Sequence, residues 1–478
     1  MSTATVTVLP GAQHARLREV FERQRETALR LRTSTAAQRV AKLKKLRDAI
    51  FSNTDAWYAA AHADFKKPAG EVDLAELLPI ALELNDSIAH VARWMKPVKV
   101  PTPLVMAGTS GQLKYEPKGR CLILSPWNYP VNLTFVPLVS CIAAGNTAIL
   151  KPSEMTPNLS AAMAKLVKEV FSEDEVALFE GDASTAQALL ELPFDHIFFT
   201  GSPAIGKVVM AAAAKHLATV TLELGGKSPT IVDASADVDL AAQNVIWGKC
   251  ANAGQTCIAP DHVYVHQKVY EKFVTKCRAA LEKAFGTKDE MSPHYARIVN
   301  ARHTARLKGL LDDAKAKGAK VLAGDRVSEK DNFIAPTLLE GAPEEARIMQ
   351  EEIFGPLLPL IPYTDLTEVL ARINADPKPL ALYVFAKNED VVNRVLDETS
   401  SGGAVVNHSL VQYLHHGLPF GGVNNSGHGS AHGFFGFKAF SHERAVVKAE
   451  LKIAAKLLGA GEIPPAARKA LQKVWKLV

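Results

Sequence analysis

From about residue 120 onward, short apolar runs alternate with segments of helical periodicity, and this alternation restricts the fold more than any other feature of the chain. The runs at 121–125, 148–150, 177–179, 196–200 and 220–224 are separated by helical segments at about 131–144, 157–171, 183–191 and 204–216. A second block repeats the pattern, with runs at 230–232, 261–265, near 357–362 and 382–386 and helices at 238–249, 268–285 and 301–317. Fully apolar strands joined by helices predict a mostly parallel, doubly wound sheet with helices on both faces. Two such blocks predict two α/β domains joined near Gly225 and Gly226. A length of 478 residues agrees, since single cores stop growing well below that size.

The ends read differently. Residues from about 12 to 65 carry helical periodicity. Over 35–50, Val40, Leu43, Leu46 and Ile50 share one face, while Lys42, Lys44, Lys45 and Arg47 lie largely off it. A further helix is predicted over 72–95. Pro97, Pro101, Pro103, Gly108 and Gly111 then break the pattern, and 112–116 reads as a strand of an excursion or hairpin. The tail from Lys448 to Val478 is basic, with leucines and Trp475 at partly helical spacing. Docking of this tail on the protein itself or on a sister subunit is the plainer reading, a membrane-surface helix the sharper one.

Charge and cysteine usage exclude several classes. A net charge of +5 without a Lys/Arg stripe interleaved with aromatics is no nucleic-acid footprint. Five cysteines (121, 141, 250, 257 and 277), odd in number and without CxxC spacing, argue against a disulfide framework or zinc knuckle and for a reducing compartment. Residues 1–23 lack the apolar core of a secretory signal, and no apolar run approaches the roughly 20 residues that span a bilayer. A cytoplasmic enzyme is the expectation.

Several stretches could carry chemistry, and each has a plainer reading beside it. Cys257, in Asn252-Ala-Gly-Gln-Thr-Cys257, sits in a turn-prone stretch where a thiolate could attack a carbonyl carbon and nearby N–H groups could hold the oxyanion. Most cysteines, however, are small buried hydrophobes. Glu223, in Leu222-Glu-Leu-Gly-Gly-Lys227, lies at a strand end where burial would raise its pKa toward that of a general base; alternation could equally turn it outward. Phe199-Thr-Gly-Ser202 with Gly206 is a strand, a turn and a helix opening, suited to a pyrophosphate. It is not GxGxxG, and many α/β proteins turn this way without a ligand. Lys151-Pro-Ser-Glu154 follows a strand, where Lys151 and Glu154 could bond ribose hydroxyls or simply belong to a helix cap. Asn128, in Pro126-Trp-Asn128, offers amide donors for an oxyanion, and Tyr129 an apolar wall. Glu352-Ile-Phe-Gly-Pro356 reads alone as a structural turn.

Taken together and in this order, with Gly254-Gln-Thr-Cys257 and Leu418-Pro-Phe-Gly-Gly422, these stretches resemble the aldehyde dehydrogenase superfamily over about residues 120–445. The short N-terminus, Ile258-Ala-Pro260 and Phe440-Ser-His442 look most like the class 3 and coniferyl-aldehyde-dehydrogenase-type branch. The resemblance implies Cys257 as nucleophile, Asn128 with the Cys257 N–H as oxyanion donors, and Glu223 as the base that activates water against a thioester. It implies NAD or NADP as cofactor, with Lys151 and Glu154 at the adenosine ribose, Gly201, Ser202 and Gly206 at the phosphates, Glu352 at the nicotinamide ribose and Phe354 beside the nicotinamide. A carboxylate near the 2′-position tilts the choice toward NAD, although members of this branch use both. The implied substrate is a medium-chain aliphatic or aromatic aldehyde, with Tyr129 in its pocket.

The resemblance also implies an NAD(P)-binding domain (1–98 with 118–225), a catalytic domain (226–424) and an oligomerisation arm (99–117 with 440–450) that makes a homodimer; 451–478 remains as the basic tail. Two rivals are a CoA-acylating enzyme, against which Glu223 argues, and an idle scaffold, against which the joint Cys/Glu/Asn set argues. One departure stands out. The family commonly has Gly after Pro-Phe-Gly-Gly-Val, whereas here Asn424 and Asn425 follow Val423. The nearby His408, His415, His416, His428 and His432 show no recurring ligand spacing, so no metal is expected.

Overall fold

The computed structural model describes residues 10–103, 106–286, 292–450 and 465–474. Helices α1 (Pro10–Leu31), α2 (Ala36–Phe51) and α3 (Thr54–Phe65) open the chain. Thr35 starts α2 through a capping box, its hydroxyl taking the Gln38 N–H while the Gln38 side chain takes the Thr35 N–H at 2.8 Å. The buried face of α2 is Arg39, Leu43, Leu46 and Ile50, and Val40 is only partly buried. Arg39 takes the inner position because its guanidinium donates to the Ala143 carbonyl at 2.9 Å, near the end of a later helix.

The helical segment expected over 72–95 is continuous from α4 (Ala69–Val72) to α5 (Leu78–Trp94), with the backbone widened into π turns over Asp73–Leu77. Strands β1 (Val98–Val100) and β2 (Thr109–Pro117) follow, and β2 is longer than the stretch 112–116 read from the sequence.

The first doubly wound unit comprises β3 (Arg120–Leu124), α6 (Pro130–Ala144), β4 (Thr147–Lys151), α7 (Pro157–Val170), β5 (Val176–Leu178), α8 (Ala183–Leu190), β6 (His196–Gly201), α9 (Pro203–Ala214) and β7 (Thr219–Leu224). The strand order is β7-β6-β3-β4-β5, all parallel. The chain winds from β3 to β5 in one direction and then resumes on the other side of β3, so the strand order reverses between β3 and β6. A crevice opens at the carboxyl ends of strands at such a reversal.

The second unit contains β8 (Pro229–Val232), α10 (Val238–Cys250), β9 (His262–His266), α11 (Tyr270–Phe285), β10 (Lys320–Ala323), the small ladder of β11 (Val327–Ser328) and β12 (Phe333–Ile334), and then β13 (Thr337–Glu340), β14 (Leu357–Tyr363), β15 (Ala381–Phe385) and β16 (Gly403–Val406). Its seven-stranded sheet runs β10-β13-β14-β9-β8-β15-β16, parallel except for β10. Sequence periodicity missed β10, β13 and β16. All three are four residues long, and β10 and β16 are edge strands without the continuous apolar run of a central strand.

Late in the chain, β17 (Gly427–His428) returns to the first sheet and pairs antiparallel with β7, setting Gly427 opposite Glu223. Finally β18 (Ser441–Ala449) joins β2 and β1 in a three-stranded antiparallel sheet. The reading of an α/β protein with two doubly wound units and a small β arm is the architecture observed.

Asn424 lies in the left-handed region at φ +55°. Among non-glycine residues Asn enters that region most readily, so the departure at this position preserves the turn that a Gly would make. Of the tail, a helix over Pro465–Val474 is described; 451–464 and 475–478 lie outside the described residues. Among the described residues no helix is long and apolar enough to cross a membrane.

Candidate active site

The carboxyl ends of the first sheet gather most of the residues singled out from the sequence. β3 runs out into the loop bearing Asn128 and Tyr129, β4 ends at Lys151, β6 ends at Gly201, and Glu223 is the penultimate residue of β7. Lys151 is buried and pairs with Glu154 at 2.9 Å. Ser202 caps α9, and Gly206 lies in its first turns, packed against Leu224.

Cys257 comes from the second unit. Helix α10 ends at Cys250, and the chain then turns through Asn252 (φ +51°), Ala253 (φ +52°) and Gly254 (φ +73°). Gly254 is required twice over, by its positive φ and because a Cβ there would stand 2.3 Å from the Gly355 carbonyl oxygen. This turn ties the cysteine loop to the Glu352–Pro356 stretch. It also leaves Cys257 as the one cysteine of five that is not fully buried.

Around Cys257 lies a cleft of about 810 Å³ walled by Tyr129, Leu133, Ile246, Trp247, Val411 and Tyr413 among others. The wall is apolar enough to take a hydrocarbon or aromatic group. The Tyr129 hydroxyl is satisfied by Thr256 Oγ1 at 2.6 Å, so Tyr129 presents its ring rather than a free hydroxyl.

The electrostatics around the thiol disfavour its ionisation. Burial, followed by the Glu352 and Glu223 carboxylates, pushes the Cys257 thiol up to about 12, while the backbone N–H groups of Cys257 and Ile258 pull in the opposite direction. Burial alone holds the Glu223 carboxyl well above its usual range, and neither of its oxygens has a hydrogen-bond partner among the described residues. Unpaired buried carboxyl oxygens are costly and rare in native proteins. Burial, followed by the charge of Asp261, raises Glu352 to about 8. Its carboxylate lies against Gly225, where a Cβ would stand 2.3–2.5 Å from both oxygens and push the carboxylate aside.

Because an ionised carboxylate disfavours a neighbouring thiolate, removing Glu352 lowers the pH at which the thiol ionises. Glu352→Gln is therefore expected to be alkylated by iodoacetamide faster than wild type at about pH 9, where wild-type Glu352 is ionised. An unmoved pH–rate midpoint would show that the two groups do not interact.

Lys227 locks the surrounding loops together. Its ammonium pairs with Asp261 at 2.5 Å and donates to the carbonyls of Ile348 (2.9 Å) and Glu351 (3.0 Å). The other Asp261 oxygen accepts the Ile353 N–H at 2.9 Å. Phe354 is held at φ +48°, edge-on to Trp127 at 5.3 Å.

Sequence reasoning missed the buried polar network beneath Asn128. The Asn128 amide donates to the Gln255 carbonyl at 3.0 Å, and its backbone carbonyl accepts from Asn252 Nδ2 at 2.8 Å and Lys67 Nζ at 3.1 Å. Lys67 pairs with Glu76 at 3.2 Å, and both side chains are withdrawn from solvent. Glu71, at the end of α4, accepts the Asn252 N–H. A signal was present: Glu76 and Glu83 fall on the face of Ile80, Ser87, Val91 and Trp94, and charges on an apolar helical stripe need partners.

The late histidines are dispersed. His408 meets Trp247 edge-on at 6.0 Å, His416 lies 3.7 Å from Asp86, and His432 lies 3.7 Å from Glu83 and packs on Tyr413. Among the described residues no three potential ligand groups converge on a point.

Comparison with known proteins gives a consistent result. The sequence model of the Aldehyde dehydrogenase family matches residues 2–446. A Caulobacter vibrioides protein named as a coniferyl aldehyde dehydrogenase is 40% identical over 465 residues, covering 95% of this chain and 96% of its own. Mouse aldehyde dehydrogenase family 3 member B2 is 42% identical over 414 residues, covering 87% of this chain and 85% of its own. The substrate-bound structure of Staphylococcus aureus AldH superimposes with a TM-score of 0.91 at 38% identity, over 96% of this chain and 99% of that one.

Proposed function

The chain belongs to the aldehyde dehydrogenase family and oxidises aldehydes to carboxylic acids, and from that premise we propose that it acts on medium-chain aliphatic or aromatic aldehydes through a thioester on Cys257. The observation that carries this reading is Cys257 on an apolar cleft, with a buried, unpartnered Glu223 near enough to act on its thiol and Asn128 bonded to the cysteine loop at Gln255.

In this reading the Cys257 sulfur bonds to the aldehyde carbon, and the oxygen becomes an oxyanion. The Asn128 amide and the Cys257 N–H stabilise it, and one such donor is typically worth about 3–4 kcal/mol of barrier. The nicotinamide cofactor, when bound, supplies the acceptor for the hydride that leaves this carbon. Glu223 then takes a proton from water, the water oxygen bonds to the thioester carbon, and the C–S bond breaks to release the acid and the Cys257 thiolate.

The family works with NAD(P). The donor set at the first sheet's carboxyl edge fits such a group. Lys151 and Glu154 are suited to ribose hydroxyls. Gly201, Ser202 and Gly206 at the start of α9 suit the phosphates, and the buried Thr200 hydroxyl beside them lacks a partner among the described residues. Glu352 would hold the second ribose, with Phe354 beside the nicotinamide. The Glu154 carboxylate opposes a 2′-phosphate, which supports a modest preference for NAD.

We assign residues 1–98 with 118–225 to cofactor binding, 226–424 to catalysis and 99–117 with 440–450 to a dimerisation arm. The arm's exposed Val98, Val100 and Val447 and its unpaired outer edges support a homodimer. Five unpaired cysteines support a cytoplasmic location.

The test is reduced-cofactor formation over a panel of aliphatic and aromatic aldehydes with NAD and NADP separately, with product analysis in the presence and absence of CoA. Free acid formed without CoA is expected. An acyl-CoA product would establish the thiol-resolved alternative, and no turnover of any aldehyde the idle scaffold.

A further inference from the structure

The least expected feature outside the reacting residues is a lysine with no exposed side-chain surface. Lys67 lies between α3 and α4, its ammonium 4.6 Å from the Phe65 ring centre and 4.5 Å from that of Tyr129. Burying an ammonium and a carboxylate costs several kcal/mol each, and an apolar pair of similar volume is often as stable. A buried pair is therefore weak evidence for stability, and its hydrogen bonds indicate what else it does.

The bonds converge on the oxyanion side of the cleft. Lys67 Nζ bridges Glu76 Oε1 (3.2 Å) and the Asn128 carbonyl oxygen (3.1 Å). Glu76 Oε2 accepts the Asn132 N–H at 2.8 Å, in the first turn of α6 directly after the Asn128 loop. The Asn132 amide oxygen accepts the hydroxyl of Tyr413, which walls the aldehyde cleft, at 2.9 Å. On the other side Asn252 Nδ2 holds the same Asn128 carbonyl at 2.8 Å and the Gln255 carbonyl at 3.2 Å. The Gln255 carbonyl is also the acceptor of the Asn128 side-chain amide. The Asn128 backbone is thus clamped between a cation from the first unit and the cysteine loop of the second.

We propose that Lys67, held by Glu76, is a positioning residue for the reaction: it fixes the Asn128 peptide so that the amide stands where the oxyanion develops, and through Asn132 it ties this placement to Tyr413 of the aldehyde wall. The proposal rests on the oxyanion role assigned to Asn128. Displacing a donor by about 1 Å can cost up to a hundredfold in rate, so the effect belongs in the chemical step rather than in cofactor affinity.

A double-mutant cycle tests it. Lys67→Met with Glu76→Gln removes the charge pair, Gln keeps an acceptor for the Asn132 N–H, and Glu71, the other buried carboxylate facing Lys67, keeps its bond from the Asn252 N–H. Single-turnover formation of reduced cofactor is expected to slow about ten- to a hundredfold, with the cofactor Kd unchanged. In an Asn128→Ala background the same pair of substitutions is expected to slow it less than about threefold, because the donor it places is gone. Equal slowing in both backgrounds, or a wild-type rate in the Lys67/Glu76 variant, overturns the proposal. Should the double substitution not yield folded protein, Lys67→Arg keeps the charge while its longer, planar head shifts the donor away from the Asn128 carbonyl. A slowed single turnover at an unchanged Tm then supports the proposal, and a wild-type rate overturns it. Asn128→Ala alone separates the two layers of the argument. If it leaves the rate intact, the oxyanion reading fails; if it slows the reaction and the Lys67 variants do not, only the positioning role fails.

Discussion

In the Glu223→Gln variant, one equivalent of reduced cofactor forms per active site and turnover then falls by about 10²- to 10⁴-fold, the range associated with loss of a general base. Gln matches Glu in volume, so the buried site at the end of β7 keeps its packing, and the two carboxyl oxygens that now lack partners are replaced by an amide. Thioester formation does not require this carboxylate, so the burst survives; hydrolysis does, so the enzyme stalls as the acylated form. Wild-type deacylation should also carry the mark of the raised pKa. A base held well above the usual carboxylate range by burial is active above its folded pKa and is lost as pH falls through it. The low-pH limb of turnover should therefore stand above the range of an ordinary carboxylate. Steady turnover in Glu223→Gln at the wild-type rate would move the role to Glu352, the other carboxylate acting on the thiol.

Cys257→Ala removes the burst itself. Loss of a covalent nucleophile costs on the order of 10⁵- to 10⁶-fold in kcat, which places the variant at background. The informative control is Cys250→Ala. Cys250 lines the same cleft but is fully buried at the end of α10, its thiol pushed up to about 12 by burial, and its removal should trim packing while leaving the chemistry intact. Loss of the burst in Cys250→Ala, with Cys257→Ala active, would reverse the assignment. Identifying the alkylated cysteine gives an independent check, because Cys257 is the only one of the five that is not fully buried.

The doubly wound core was legible because its central strands are largely apolar runs, as at His196–Gly201 and Ala381–Phe385, and its helices carry a regular apolar periodicity between them. The edge strands β10 and β16 were not, since neither is buried on both faces and so neither carries the apolar run that marked the equally short β8. The individual site residues were readable only as a set. Cys257 or Glu223 alone could belong to any core, and their meaning came from seven stretches in a known order. Lys67, Glu71 and Glu76 escaped notice because charged residues in a helical stretch are ordinarily solvated. Only the fold reveals that the π turns over Asp73–Leu77 carry Glu76 inward to meet a lysine from the preceding loop.

The pairing of β17 with β7 bears on how the protein is made. Glu223 sits on a strand whose outer edge stays open until Gly427 is laid against it, more than 200 residues later in synthesis. A nascent chain can assemble the parallel strands of the first sheet as they emerge, but the strand that closes the edge beside Glu223 follows only after the strands of both α/β units have been translated. A chain interrupted before this point carries Cys257 already translated while the edge of the strand that bears Glu223 is still unpaired.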